Sequence, residues 1–143
     1  MGGRRLGRFA VTTARGDFDI DRFDSDEYAD VDGTSLARVS IAKTFRGDLE
    51  GQGSVTMLSA RAPVETSAVY VALERVDARL HGRNGSFVLR HDGLTEAGEN
   101  SLSVIVVPDS ATGELTGLRG DFHIDIEPDG THHYRFDYEL PDA

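Results

Sequence analysis

A chain of 143 residues and 15.5 kDa is sized for one domain around one hydrophobic core. Twenty-five acidic against fifteen basic side chains give a formal charge of −10, which repels nucleic-acid phosphates and anionic membrane surfaces. Cysteine is absent, which removes disulfides, thiolate nucleophiles and Cys-based metal sites, and no stretch approaches the roughly 20 apolar residues of a membrane-spanning helix. The expectation is a cytoplasmic protein with no nucleic-acid and no membrane partner.

Residues 1–14 carry the basic cluster Arg4, Arg5 and Arg8 and read as a flexible N-terminal arm, in which FAVTT from Phe9 fits a short strand or part of that arm. A single domain then covers 15–143. From Asp17 to Phe23 acids alternate with hydrophobes, the pattern of a half-buried strand showing Phe18 and Ile20 to one side. Asp24, Asp26, Glu27, Asp30 and Asp32 follow as an acidic loop whose spacing lacks the register and closing Glu of a calcium loop.

Leu36 to Arg46 alternates again, with Ala37, Val39, Ile41, Lys43 and Phe45 on the core face. A two-residue hairpin loop at Gly47-Asp48 would set Phe45 opposite Glu50 and Lys43 opposite Gln52, turning Glu50, Gln52, Ser54 and Thr56 inward. A bulge among Gly47, Gly51 and Gly53 would reverse those faces, because a one-residue slip turns every side chain over.

Val69 to Gly93 is the clearest hairpin. Tyr70, Ala72, Glu74, Val76, Ala78 and Leu80 share a face, and a turn at Gly82-Arg83 or Asn84-Gly85, or a longer loop holding both, puts Phe87, Leu89 and His91 on that same face. The turn type decides only how far His91 stands from Glu74. On the opposite face Val69, Val71 and Leu73 form an apolar row that an interface or the N-terminal arm must cover.

The run LSVIVV within Ser101–Val107 fits a strand buried on both faces, ended by Pro108. Leu118, Phe122, Ile124 and Ile126 make one apolar side of the next segment. In the last strand His132, Tyr134, Phe136, Tyr138 and Leu140 face in, and His133, Arg135, Asp137 and Glu139 face out. Adjacent histidines on a strand point to opposite faces, so His132 and His133 cannot share one ion, and no metal site is expected. About eight strands with hairpin turns and no helical period predict an all-β, single antiparallel eight-stranded barrel. Several inward positions are small or polar, which favours a lumen with a cavity over a solid core.

The segments Lys43-Thr44-Phe45-x-Gly-Asp-Leu-Glu50-Gly, Leu73-Glu74-Arg75-Val76, Gly82 to Gly93, Gly113-Glu114-Leu115-x-Gly-Leu-Arg-Gly120 and Tyr134-x-Phe-x-Tyr138-x-Leu occur in an order that resembles a bacterial family of unknown function with the allene oxide cyclase-like barrel. The likeness runs from about Asp17 to Leu140. It implies the barrel and, through fold relatives among the plant allene oxide cyclases, the dirigent proteins and bacterial polyketide cyclases, an apolar molecule handled in the lumen. Phe23 stands where that pattern has Trp, and Ala111 where it has Gly; the first bears on the mouth of the barrel.

Two functions then compete. In the first the protein is a cofactor-independent isomerase or cyclase acting on an apolar or polyketide-like compound, with Glu74, Glu50 and His91 as acid–base residues and Lys43, Tyr70, Phe87, Leu89, Tyr134, Phe136 and Tyr138 contacting the ligand. A carboxyl among apolar neighbours is poised for this if burial raises its pKa. In the second the carboxylates are paired structural groups, Glu74 or Glu50 with Lys43, Arg38 or a tyrosine, and the protein binds or carries a small molecule. A homo-oligomer built on the Val69, Val71 and Leu73 row is a third expectation. None of these readings needs a cofactor.

Overall fold

The structure is a computed structural model that describes residues 10–141. Residues 1–9, which hold most of the expected arm and all of its basic cluster, and residues 142–143 lie outside the described residues. Eight strands follow in chain order: β1 (Thr12–Val31), β2 (Thr34–Gly47), β3 (Leu49–Arg61), β4 (Ala68–Leu80), β5 (Arg83–Glu96), β6 (Glu99–Val106), β7 (Arg119–Ile126) and β8 (His132–Glu139), with one 3₁₀ turn at Gly113–Leu115. Each pairs antiparallel with the next and β8 pairs with β1, so the sheet closes into a barrel as the turn spacing predicts. Closure removes the free edges of an open sheet. It is thinnest between β6 and β7, whose register holds a single pair, Ile105 with Asp121.

Four details differ from the sequence reading. The acidic segment after Arg22 is strand: β1 runs unbroken to Val31, its register shifted between Ile20 and Arg22 and between Glu27 and Ala29. Exposed acids tolerate this because they face water, and the first shift brings Phe23, Ser25 and Glu27 to the cavity side. The β4–β5 turn is His81-Gly82, both at positive φ (46° and 84°), and Leu80 pairs with Arg83. This is a two-residue turn with both central residues left-handed. β6 is buried only at Val104 and Val106 along one face, so its apolar run is half-exposed. In β8 the outward Asp137 and Glu139 are nevertheless only 7% and 4% exposed; Asp137 accepts from Thr13 Oγ1 at 2.8 Å.

The interior has two unlike halves. Toward the end closed by Leu115 and Leu118, Phe18, Phe45, Phe87, Phe122, Tyr134 and Phe136 pack in one cluster, with Phe122 stacked on Tyr134 (centroids 5.3 Å apart) and Phe87 on Phe136 (5.8 Å). Tyr134 ties this end together: its hydroxyl donates to the Arg46 carbonyl and accepts from Leu49 N–H, each at 2.8 Å. Burial pushes that phenol up to about 12. Toward the other end the side chains are smaller, Val39, Ile41, Val55 and Ala72 with Met57 against them, and the barrel opens.

Candidate functional site

Alternation along β4 and β5 brings Glu74 and His91 to one face, and the turn at His81-Gly82 sets Glu74 opposite Leu89 and Ala72 opposite His91. The two side chains meet on the diagonal, where His91 Nε2 donates to Glu74 Oε1 at 2.8 Å. Lys43 reaches the same oxygen from β2, with Nζ 3.2 Å away. Glu74 is 0% exposed, and Lys43 and His91 are buried with it.

Lys43 and Glu74 are two strands apart, with β3 between them. The residue of β3 opposite Lys43 is Gly53, which also pairs with Val76 of β4. With no side chain at that point, the ammonium and the carboxylate meet across β3. Lys43 Nζ also lies 4.7 Å from the centroid of Phe18 and 6.0 Å from that of Phe45, so aromatic faces take the place of water around the cation.

Burial by itself would lift the Glu74 pKa, but the His91 hydrogen bond and the Lys43 charge outweigh it and hold the carboxyl below the ordinary carboxylate range. The group is therefore a paired carboxylate and not a poised acid. Its second oxygen, Oε2, is buried and has no hydrogen-bond partner among the described residues.

Above this network a cavity of about 400 Å³ opens at the end of the barrel that carries the β1–β2 and β3–β4 connections. Phe23, Val39, Met57 and the Tyr70 ring give it apolar wall, Ser25, Ser35, Ser59 and Thr95 hydroxyls, Glu27 a carboxylate and Arg61 a cation. Tyr70 faces Gly93 across the β4–β5 ladder, where a side chain would strike its ring, and burial, with Asp92 nearby, raises its phenol.

Of the residues expected to act together, Lys43, Glu74 and His91 meet, and Tyr70 borders the cavity. Glu50 does not join them. The reversed faces are the version that forms: Gly47 has φ 105°, Phe45 pairs with Gly51 and Lys43 with Gly53 in an unbroken register one position off the expected one, so Leu49, Gly53 and Val55 face in while Glu50 is exposed beside Arg79. Gln52, Ser54 and Thr56 turn outward with it. Phe87, Leu89, Tyr134, Phe136 and Tyr138 lie in the packed half and do not border this cavity. Met57 has no signal in the sequence pattern, whereas Phe18 and Gly53 are legible there only as a strand-face residue and a possible bulge, not as neighbours of the Lys43–Glu74 pair.

The fold and its cavity define an eight-stranded antiparallel barrel, plugged with aromatics at one end and hollow at the other over a buried Lys–Glu–His network. The pattern of the family described as "Protein of unknown function (DUF3224)" matches residues 14–138, and the chain belongs to that family. A crystal structure of a DUF3224 protein of unknown function from Shewanella oneidensis MR-1 is similar to it, with 44% identity, a TM-score of 0.86, and 93% of this chain and 99% of that one covered. No curated protein matches the chain. Among the described residues no helix is long and apolar enough to cross a membrane.

Proposed function

We propose that this protein binds a small, largely apolar molecule in the open half of the barrel and holds it there without a reaction at Glu74. The observation that carries this reading is the cavity of about 400 Å³, within the range of roughly 300–1,000 Å³ common to small-molecule sites, whose wall mixes apolar Phe23, Val39 and Met57 with the polar Ser25, Glu27, Ser35, Ser59, Arg61 and Thr95 that can orient a guest. The Lys43–Glu74–His91 network lies beneath the floor, paired and charge-compensated, and its depressed carboxyl pKa is the reverse of what an acid–base residue at neutral pH needs. It acts as a brace that fixes three strands around the floor. The charge of −10 disfavours nucleic acid as the guest.

A second reading, isomerisation or cyclisation of an apolar or polyketide-like compound, draws on one observation: Tyr70 borders the cavity and its strand neighbour two residues on, Ala72, pairs with His91. A proton could then pass through the Tyr70 hydroxyl with no cofactor.

The two readings separate when the purified protein is incubated with a small-molecule extract of its source cells and the bound fraction is recovered by native mass spectrometry. A carrier returns a compound at unchanged mass and unchanged chromatographic position. An isomerase or cyclase returns the same mass at a new position, and Tyr70→Phe then abolishes the change.

A further inference from the structure

We propose that the outer face of β3–β5 is the surface through which two copies of this chain join about a two-fold axis. Outward positions on β4 change character halfway along the strand: Val69, Val71 and Leu73 are apolar, whereas Arg75, Asp77 and Arg79 are charged. Val71 and Leu73 are 51% and 57% exposed, and Leu58 of β3 and Leu94 of β5 extend the apolar field on either side. A groove of about 410 Å³ runs over it, lined by Thr56, Leu58, Val71, Leu73, Arg90 and Asp92. Burying such a field is favourable at roughly 25 cal/mol per Å² of apolar surface removed from water.

The charges on this face choose the occupant. Val71 pairs with Asp92, and Leu73 with Arg90, on neighbouring outward rungs. Neither Arg90 nor Asp92 takes part in an ion pair among the described residues. The face therefore holds one anion and one cation, two residues and roughly 7 Å apart along the strand.

A two-fold axis lying in the interface, running across the strands between those two rungs, places Arg90 of each copy over Asp92 of the other and Leu73 over Val71. Two sheets can pack this way at roughly 10 Å. A surface that is self-complementary under a two-fold operation is what an isologous dimer requires. It is also a locally neutral patch on a chain of charge −10, where copies repel elsewhere. This inference stands apart from the ligand reading, because the face lies outside the barrel wall.

Sedimentation velocity of the full chain over a wide concentration range tests it. The expected species is twice the 15.5 kDa chain mass. Val71→Glu is expected to raise the dimer dissociation constant by roughly thirtyfold or more. Arg90→Glu and Asp92→Lys are each expected to weaken it, since each sets like charges face to face. Mixing those two variants is expected to restore association, because the two substituted chains are complementary to each other in the proposed register. All three changes are on the surface, and circular dichroism verifies that the variants are folded. A monomer at every concentration overturns the proposal. So does a dimer indifferent to Val71→Glu, or a mixture that associates no better than either variant alone.

Discussion

A Cβ placed on Gly53 would lie 2.1 Å from Oε2 of Glu74, so the carboxylate fills the space of a side chain that β3 lacks at this point. Phe45 closes the same space from the other side, 2.9 Å from that Cβ position. The buried ion pair therefore depends on the absence of a side chain in the strand between its partners.

Gly53→Ala should displace the Glu74 carboxylate or push β3 outward. Its backbone does not require a left-handed conformation, so the effect is steric, with an overpacking cost of about 1–3 kcal/mol. Urea denaturation measures it. An unchanged midpoint would show that the carboxylate has room to retreat.

Removing one member of the network should cost more than removing the whole of it. Lys43→Met leaves the buried carboxylate with His91 alone and should destabilise by about 3–5 kcal/mol, whereas Lys43→Met with Glu74→Leu should recover much of that loss. The double-mutant cycle gives the coupling directly. Additive losses would mean that the two side chains do not interact.

The network should also write itself into the acid limb of stability. The Glu74 carboxyl is held below its usual 4.5 in the folded chain, so between those two values the unfolded chain binds the extra proton. Stability therefore rises with pH there: the contribution is complete above about 4.5 and is lost as pH falls through the lower, folded value. Other carboxylates titrate in the same range, so the relevant quantity is the difference between the unmodified protein and Glu74→Gln. That difference should shrink on acidification below 4.5. A difference that is flat in pH would place the Glu74 charge outside the stability of the fold.

Tyr134→Phe should destabilise without altering the cavity. The loss of its hydroxyl strands the Leu49 N–H and the Arg46 carbonyl at the closed end, at a cost of about 1–3 kcal/mol. Thermal unfolding measures the loss, and unchanged ligand uptake by the variant verifies that this ring belongs to the plug.

Much of this architecture is legible in the chain because alternation is robust. Glu74 and His91 stay on one face whichever two-residue turn joins β4 to β5, since moving such a turn by one residue shifts the pairing by two and preserves parity. The same parity failed at Glu50. One left-handed residue, Gly47, and a shift of one position in the β2–β3 register turn Glu50 to solvent, and a glycine run permits either outcome. The division of the lumen was not legible at all. Phe87, Phe136, Phe122 and Tyr134 are inward residues in any register, but whether inward rings line a cavity or fill it depends on how rings from separate strands interdigitate. Phe23 is placed at the mouth by the family resemblance alone, and Ser25 and Glu27 were hidden for a related reason: a register shift in β1 changes the phase of a segment that otherwise reads as an acidic loop.

The central claim is that a guest occupies the open half of the barrel and leaves the aromatic half untouched. Met57 is the one methionine beyond Met1, and it stands in the cavity wall. Methyl-labelled methionine, with the Met57 signal assigned by its loss in Met57→Leu, therefore reports on the cavity wall. Titrating the compound recovered from the extract should shift the Met57 methyl to saturation in step with binding, and Ser59→Trp, which fills the cavity, should abolish both the shift and the binding. A compound that binds while the Met57 methyl stays in place, or that binds the Ser59→Trp variant unchanged, would contradict the account.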